Sequence, residues 1–358
     1  MSGDRLDRRR FCATLAVQAL ALPALAAAQG YAGLATDAEG FAAVTPPARL
    51  AFPRDHGPHP DFRIEWWYLT ANLRGEDGAD YGIQWTLFRS GLAPGADDPG
   101  WANGQVWMAH AAATSAIDHR FAETFARGGV GQAGVTLSPF RAFIDDWAMI
   151  GRDDKLGALD LHAGGPGFAY DLALTTDRPP VPQGDAGYSV KSDAGQASYY
   201  YSQPFYAAAG TLTLDGRTIP VTGQAWLDRE WSSQPLTAGQ EGWDWFALHL
   251  DDGEKLMAYR LRDSDGGAFL AATWISADGT PHPIARDAIT ATPTAWSEVA
   301  GRSLPSGWRL TIPSRALAVD IAPLNPQSWM GTTYAYWEGP VGVSGSHAGR
   351  GYLEMTGY

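Results

Sequence analysis

Short runs that alternate between apolar and polar side chains recur along this chain, and Gly and Pro separate them. The chain has 358 residues, of which 42 are Gly and 24 are Pro. Clear examples of the alternation are residues 81–88, 210–214 and 309–312. Successive side chains of a strand point to opposite faces, so a period of two indicates strands with one buried face. Because turn pairs such as Asp252-Gly253 separate the runs at hairpin spacing, the pattern predicts an all-β fold, either a sandwich or a barrel.

One segment departs from this alternation and has the periodicity of a helix. Residues 115–127 begin with Ser115, a residue type common at helix N-caps, and Gly128-Gly129 follows them. We therefore expect one helix in this segment and little helix elsewhere.

Two stretches that place an acidic residue beside large aromatics lie half a chain apart. The first begins at Glu65, continues into a strand and a turn, and closes at Arg89. The second begins at Asp244, 179 residues after Glu65, and closes at Arg262, 173 residues after Arg89. This internal repeat predicts two similar β barrels, joined between residues 215 and 231.

The N-terminus has the composition of an export signal. Arg8 and Arg9 form a twin-arginine pattern, and an uncharged run of 18 residues follows and ends in three alanines at residue 28. The run also has the length of a membrane anchor, but Pro23 and its Ala-rich composition favour a cleaved signal peptide. We expect residues 1–28 to direct export to the periplasm or beyond by the twin-arginine route, with mature protein starting near Gln29. No later segment is expected to insert stably in a membrane.

The overall charge limits the partners that the chain can bind. The formal net charge is −13, and removal of residues 1–28, which hold four Arg and two Asp, makes the remainder more acidic. Such a surface repels nucleic acid and anionic lipid, so neither is an expected partner. The single cysteine, Cys12, lies in the export signal. The mature protein therefore lacks disulfides and depends on its core for stability.

Carboxylates beside tryptophans are the candidate catalytic groups. An apolar environment raises the pKa of a carboxyl group and so makes a proton donor that works near neutral pH. The candidates are Asp228, Glu230, Glu65 and Asp244. Asp228, between Trp226 and Trp231, is the first choice. Glu230 shares its face of a strand, so the two carboxyls are expected to share a proton, while Arg229 points to the other face.

These residues also have a purely structural interpretation. Glu65 and Asp228 are candidate ion-pair partners of Arg89 and Arg229 at barrel ends. We prefer that interpretation for Glu65 with Arg89 and leave both open for Asp228. Aromatic faces can stabilise a carbocation, and His110 among small apolar residues is either a core residue or a base. The expected ligand-binding residues are Trp66, Trp231, Trp243, Trp245, His110, Arg89 and Tyr259.

Other catalytic and cofactor-binding motifs are absent from the sequence or match it only by chance. The sequence contains no His-Glu-x-x-His, no Gly-x-Ser-x-Gly and no pair of cysteines. His56, His59 and Asp61 lie close enough for a metal site, but they sit in a Pro-rich segment where chance spacing is the better explanation. Residues 129–134 match a dinucleotide-binding motif. That motif requires a strand before it and a helix after it, whereas we expect a helix before these residues and a strand after them. We therefore expect no metal and no other cofactor.

Several motifs in a fixed order resemble one known family. They are Glu65-Trp66-Trp67-Tyr68, Gln84 with Phe88-Arg89, Trp226-Leu227-Asp228-Arg229-Glu230-Trp231, Gly242-Trp243-Asp244-Trp245-Phe246, Tyr336-Trp337-Glu338-Gly339 and the closing residues 351–358. From about residue 53 to its end, the chain resembles the AttH-like "predicted secreted hydrolase" family, which is similar to carotenoid 1,2-hydratases, also called hydroxyneurosporene synthases. The resemblance implies two lipocalin-like β barrels in tandem. We place them at residues 53–222 and 223–358, after a lead-in of residues 29–52.

The resemblance also implies a lipophilic ligand. Carotenoid 1,2-hydratases add water to a terminal isoprenoid double bond without a cofactor: an acid protonates the alkene, a tertiary carbocation forms, and water captures it. Asp228 and Trp231 fit their pattern, but His and Asn stand where this chain has Arg229 and Glu230, and Arg is no general acid at neutral pH.

Three functions stay open. The chain is a hydratase acting on a lipophilic alkene, a non-catalytic carrier of a hydrophobic ligand associated with an ABC-type export system, or a hydrolase. The hydrolase ranks last, because no nucleophile–base pair is visible.

Overall fold

The structure, a computed structural model, describes residue 34, residues 38–95 and residues 98–358. The predicted export signal, residues 1–28, lies outside the described residues. Within them, every regular element longer than three residues is a β-strand, which confirms the all-β prediction. Single 3₁₀ turns occur at Arg54–His56, Gly100–Ala102, Arg286–Ala288 and Pro313–Arg315. The described part of the chain has no helix long and apolar enough to cross a bilayer.

Thirteen antiparallel strands form the first sheet. They are β1 (Ile64–Gly75), β2 (Asp80–Gly91), β3 (Gln105–Ser115), β4 (His119–Arg127), β5 (Ala133–Leu137), β6 (Phe140–Ile144), β7 (Trp147–Gly151), β8 (Ala158–Gly165), β9 (Phe168–Thr175), β10 (Val181–Pro182), β11 (Tyr188–Val190), β12 (Ala197–Leu214) and β13 (Arg217–Ser232). Their order is β4-β3-β2-β1-β13-β12-β9-β8-β7-β6-β5, with β10 and β11 also paired to β12.

Ten strands form the second sheet. They are β14 (Gln240–Leu250), β15 (Lys255–Asp263), β16 (Ala268–Ile275), β17 (Pro281–Ile284), β18 (Thr290–Val299), β19 (Arg302–Ile312), β20 (Leu317–Pro323), β21 (Trp329–Met330), β22 (Tyr336–Gly345) and β23 (Gly349–Thr356). Their order is β17-β16-β15-β14-β23-β22-β20-β19-β18, and β21 pairs with β22.

Each sheet curls around its own apolar core, as expected for tandem lipocalin-like barrels. In the first, β3 and β4 pack across the interior against β6 and β8. Side chains such as Trp85 and Tyr170 fill that interior. In the second, Phe246, Trp308 and Leu353 belong to one buried cluster. Because side chains fill both barrel interiors, a ligand can be accommodated between the two barrels of the described chain rather than inside either one.

The chain passes from the first sheet to the second between Ser232 and Gln240. The expected boundary at residues 222/223 lies inside β13, which pairs with β1 and β12 and belongs to the first barrel. In the sequence, Gly223 has the appearance of a residue that ends a strand. In the structure it lets β13 approach β1 closely, because a Cβ atom there would lie 2.0 Å from the carbonyl oxygen of Asn72. Asp228 is therefore a residue of the first barrel.

The predicted helix at residues 115–127 is wrong, because the segment is the hairpin of β3 and β4. Ser115 does cap a turn, since its Oγ accepts the backbone N–H of Asp118 at 3.1 Å. The turn closes a hairpin, however, and the N–H of Ser115 donates to the carbonyl of Asp118 at 2.8 Å. Serine side chains support such turns as readily as helix N-termini, so the sequence signal was ambiguous.

The internal repeat of the sequence corresponds to equivalent hairpins. Glu65 on β1 lies opposite Arg89 on β2 and forms an ion pair with it. Asp244 on β14 forms an ion pair with Arg262 on β15 at 2.8 Å. The first hairpin of each barrel thus carries a buried acid–arginine pair at the same end.

Candidate functional site

Alternation along the strands separates the barrel cores from the surface where the barrels meet. On β1, Trp67 is part of the first core, whereas Tyr68 packs in a cluster shared by both barrels. On β23, Leu353 is part of the second core, whereas Glu354 faces the first barrel across a cavity. Both barrels therefore present their polar and aromatic faces to each other.

The cavity between the barrels has a volume of about 350 Å³. Its walls are largely aromatic, with contributions from Trp66, Tyr68, Tyr200, Trp243, Trp245, Tyr259 and Tyr336. Three carboxyl groups and one ammonium group also line it, those of Asp228, Glu230, Glu354 and Lys191. An apolar cavity with a few converging polar groups is the usual form of a small-molecule site.

Asp228 is the most heavily hydrogen-bonded acid of the cavity and is 3% exposed. The hydroxyl of Tyr200 donates to Oδ2 at 2.7 Å, the indole N–H of Trp226 donates to Oδ1 at 2.7 Å, and Ser202 also donates to Oδ1. Burial raises the pKa of Asp228 to about 7, although these three donors oppose the rise. The charge of Glu230 adds to it. Asp228 is therefore an acid that can hold a proton and release it near neutral pH.

Glu230 does not share a proton with Asp228 as expected, because a cation neutralises it. The ammonium of Lys191 lies 2.8 Å from Oε1 of Glu230, and both side chains are buried. The same ammonium lies 4.2 Å from the ring centre of Tyr259. Lys191 follows β11, so its approach to β13 is not visible in the sequence around Glu230.

Glu354 on β23 also lines the cavity. Like Asp228, and unlike Glu230, it forms no ion pair with any of the described residues. The indole N–H of Trp243 donates to its Oε1. Burial raises the pKa of Glu354 to about 7 against the effect of this bond, and the charges of Asp228 and Glu230 add to the rise. The cavity thus holds one such acid from each barrel.

A hydrogen-bonded chain connects the cavity wall with the surface. Nε2 of His110 lies 3.0 Å from Oε1 of Glu123, and its Nδ1 lies 3.0 Å from the hydroxyl oxygen of Tyr336. Burial lowers the pKa of His110 despite Glu123, so the ring is neutral near pH 7. Nearby, Tyr68 donates to Glu338, whose pKa burial raises well above its usual range. These contacts join the two barrels and fix the cavity wall.

Glu65 lies outside the cavity, in an ion cluster at one end of the first barrel. It is fully buried and contacts Arg89 and Arg229, the latter at 2.9 Å. Burial opposes its charge, but the two guanidinium groups hold the pKa of Glu65 well below its usual range. Arg229 also lies 3.8 Å above the ring centre of Trp67. Glu65 is therefore an anion at neutral pH that stabilises the barrel, which agrees with the structural interpretation of Glu65 and Arg89.

Asp244 and Trp231 also lie away from the cavity. Asp244 contacts Arg260 at 2.9 Å and Arg262 at 2.8 Å, and it accepts the hydroxyl of Tyr358 at 2.7 Å. Trp231 stacks on His59, with ring centres 3.9 Å apart. Along β13 and β14 these side chains occupy the strand face opposite to that of the cavity residues.

The cavity therefore unites part of the predicted site. The predicted residues that line it are Asp228, Glu230, Trp66, His110, Trp243, Trp245 and Tyr259. Those that lie elsewhere are Glu65, Asp244, Trp231 and Arg89. Sequence reasoning missed Lys191 and Glu354. Of these, Glu354 had a usable signal, because Leu353 and Met355 flank it and alternation puts it on the opposite face.

The histidines that suggested a metal site have other partners. Nδ1 of His56 lies 2.6 Å from the hydroxyl of Tyr201, and Nδ1 of His59 lies 3.1 Å from Glu65. In the described part of the chain, no three His, Cys, Asp or Glu residues are grouped to hold a metal ion.

Comparison with known proteins gives one family and several related structures. The family model described as AttH-like matches residues 43–358. The crystal structure of a protein described as an AttH of Nitrosomonas europaea is 33% identical and covers 89% of this chain and 100% of its own, with a TM-score of 0.79. No curated protein matches the sequence.

Two further crystal structures share the fold at lower identity. Kievitone hydratase from Nectria haematococca is 16% identical, covers 89% of this chain and 96% of its own, and has a TM-score of 0.65. CghA, in a complex with Sch210972, is 16% identical, covers 92% of this chain and 97% of its own, and has a TM-score of 0.55.

Proposed function

The chain belongs to the AttH-like family, and we propose that its inter-barrel cavity adds water to a carbon–carbon double bond of a lipophilic, isoprenoid-type substrate. The observation that carries this proposal is Asp228, a buried acid with a pKa of about 7 on the wall of an aromatic cavity. Such a group is protonated in a large fraction of molecules at neutral pH, so it can donate a proton to a trisubstituted alkene held against it where the aromatic walls stabilise the resulting cation.

The reaction proceeds by proton transfer and capture by water. The O–H bond of Asp228 breaks, and its proton forms a C–H bond at one alkene carbon, using the π electron pair. The neighbouring carbon becomes a tertiary cation, which the ring faces of Trp66 and Trp245 stabilise. A water molecule forms the C–O bond and returns a proton to the carboxylate of Asp228, so the acid is regenerated.

The partners of Asp228 stabilise the carboxylate that forms during this cycle. Tyr200, Ser202 and Trp226 donate to the carboxylate once the proton has left. Tyr200 is held in turn by the indole N–H of Trp245 at 3.2 Å. A preorganised set of donors stabilises the developing charge without rearrangement.

The name of kievitone hydratase agrees with hydration, but at 16% identity it supports the fold alone. The cavity also suits a carrier, because its aromatic walls bind a lipophile without any reaction. In that case the protein returns its ligand unchanged.

Incubation with acyclic isoprenoids in ¹⁸O-labelled water distinguishes these functions. We use geranylgeraniol, squalene and lycopene as probes and analyse the extracts by mass spectrometry. A hydratase gives an alcohol that carries one labelled oxygen. Bound but unaltered probe across the set favours the carrier and overturns the proposed hydration. We further propose that the protein acts after twin-arginine export and receives or passes its ligand at an ABC-type export system.

A further inference from the structure

We propose that the cavity between the barrels binds lipophilic ammonium ions, and that a bound cation displaces protons from Asp228 and Glu354. The ligand class is a quaternary or protonated tertiary amine that carries an alkyl or prenyl chain. This inference goes beyond the proposed hydration, because binding requires no reaction.

The charges around the cavity leave two acids for a cation. Lys191 and Glu230 neutralise each other at 2.8 Å. Among the described residues, Asp228 and Glu354 form no ion pair, and both line the cavity. With both ionised the cavity carries two uncompensated negative charges, so the empty cavity retains protons instead.

The other titratable groups that face these acids keep one charge state near neutral pH. Burial opposes the charge of Lys191, but Glu230 raises its pKa, so the ammonium persists. Burial lowers the pKa of His110 and raises that of Glu338, so both are neutral. Burial likewise raises the pKa of the tyrosines at the cavity, Tyr68, Tyr200 and Tyr259. Asp228 and Glu354, each with a pKa of about 7, exchange protons in this range.

The hydrogen-bond donors at both acids are arranged for carboxylates. Asp228 receives three donors, and Glu354 receives the indole N–H of Trp243. A bound monovalent cation compensates one of the two negative charges, so it favours ionisation of the pair, and each carboxylate keeps its donors.

The cavity already holds one ammonium group in the proposed manner. Nζ of Lys191 contacts Glu230 and lies 4.2 Å from the ring centre of Tyr259 and 5.0 Å from that of Tyr200. Carboxylates combined with aromatic faces are the usual environment of bound quaternary ammonium. Trp243 and Trp245 also line the cavity, together with Glu354 and Asp228. The Lys191 site is thus an internal model for the proposed ligand.

Proton displacement gives the binding a defined pH dependence. At low pH the cation competes with protons for the two carboxylates. Affinity therefore rises with pH by roughly tenfold per unit for each displaced proton, and it levels off once both acids are ionised.

Isothermal titration calorimetry with decyltrimethylammonium, below its micelle concentration, tests the inference. Decyldimethylamine N-oxide, which has the same chain and no net charge, is the matched ligand. We expect the ammonium ion to bind at least ten times more tightly at pH 7.5. Titrations at pH 6.0 in phosphate and in MES, which both buffer at this pH and differ in enthalpy of ionisation, are expected to show release of between one and two protons per ammonium ion.

Variants assign the released protons to residues. Glu354→Gln and Asp228→Asn should each remove about half of the proton release and weaken ammonium binding roughly tenfold. Glu254→Gln is the matched control, because Glu254 also accepts an indole N–H, from Trp274 at 3.0 Å, but does not line the cavity. It should bind as the wild type does.

The wild-type data decide the inference even where a variant fails to fold. Equal affinities for the ammonium ion and the N-oxide, or zero proton release, overturn it. Neither result bears on hydration, which the labelled-water experiment measures separately.

Discussion

Trp226 donates its indole N–H to Asp228, two residues later on the same face of β13, at a distance of 2.7 Å. This contact orients the carboxyl group within the inter-barrel wall, while the surrounding apolar side chains keep water from it. The hydrogen bond from Trp226 holds the carboxyl group of Asp228 in place, and burial raises its pKa to about 7, so the group can exchange protons near neutral pH.

The rate of hydration should depend on pH through this acid. Because Asp228 must be protonated to act and its pKa is about 7, kcat/KM should be constant below about pH 6 and fall tenfold per unit well above pH 7. A pH–rate profile with the isoprenoid that is turned over measures this. A rate that is unchanged up to pH 9 contradicts the assignment.

Glu65→Gln should destabilise the protein strongly. The substitution leaves Arg89 and Arg229 buried without their anion, which costs about 3–5 kcal/mol. Urea unfolding measures the difference. Asp160→Asn is the control, because Asp160 pairs with Arg152 on the exposed surface and its loss should cost about 0–1 kcal/mol. Similar effects of both variants would show that the Glu65 cluster does not stabilise the first barrel.

The cavity acids should make the protein less stable as the pH rises towards neutrality. The folded-state pKa of Asp228 and of Glu354 is about 7, above the ordinary values of 3.8 and 4.5. The folded state therefore binds more protons, and the stability these groups contribute is full below about pH 4 and lost as the pH rises through 7. Glu65 acts in the opposite sense, since its lowered pKa makes its contribution disappear in acid.

Urea midpoints at pH 5.0 and 7.5 measure this effect. The double variant Asp228→Asn, Glu354→Gln should lose the wild type's decline between the two values. If wild type and variant change in parallel, the raised pKa values are not a property of the folded protein.

Much of the fold follows from local sequence patterns. Period-two alternation identifies the strands, and the acidic starts at Glu65 and Asp244 identify the repeated hairpins. The helix predicted at residues 115–127 fails because Ser115 caps a tight turn as well as it caps a helix. The boundary at residues 222/223 fails because Gly223 permits close strand contact within β13 and does not end it.

The site follows from the sequence only where its residues share a strand. Alternation joins Asp228 and Glu230, and it also explains why Trp231 faces away. Lys191 reaches Glu230 from the segment after β11 of the same barrel, whereas Glu354 comes from β23, so its proximity to β13 depends on how the two barrels pack. No local pattern encodes that packing, so the neutralisation of Glu230 and the second acid become visible only in the structure.

The predicted twin-arginine signal at residues 1–28 can be tested through export of the protein. Replacing Arg8 and Arg9 by Lys should leave full-length precursor in the cytoplasm, because the paired guanidinium groups are the recognised feature. Cell fractionation with detection of the mature N-terminus near Gln29 measures this. Normal periplasmic accumulation of the variant would exclude the twin-arginine route.

Product formation by Asp228→Asn in ¹⁸O-labelled water is the most direct test of the proposed function. Asn cannot donate the proton but keeps the shape of the side chain and its place beside Trp226 and Tyr200. We expect the labelled alcohol to form at least about two orders of magnitude more slowly, while the affinity for the unreacted isoprenoid stays nearly the same. Labelled product at the wild-type rate would contradict the account, since Asp228 would then not be the acid.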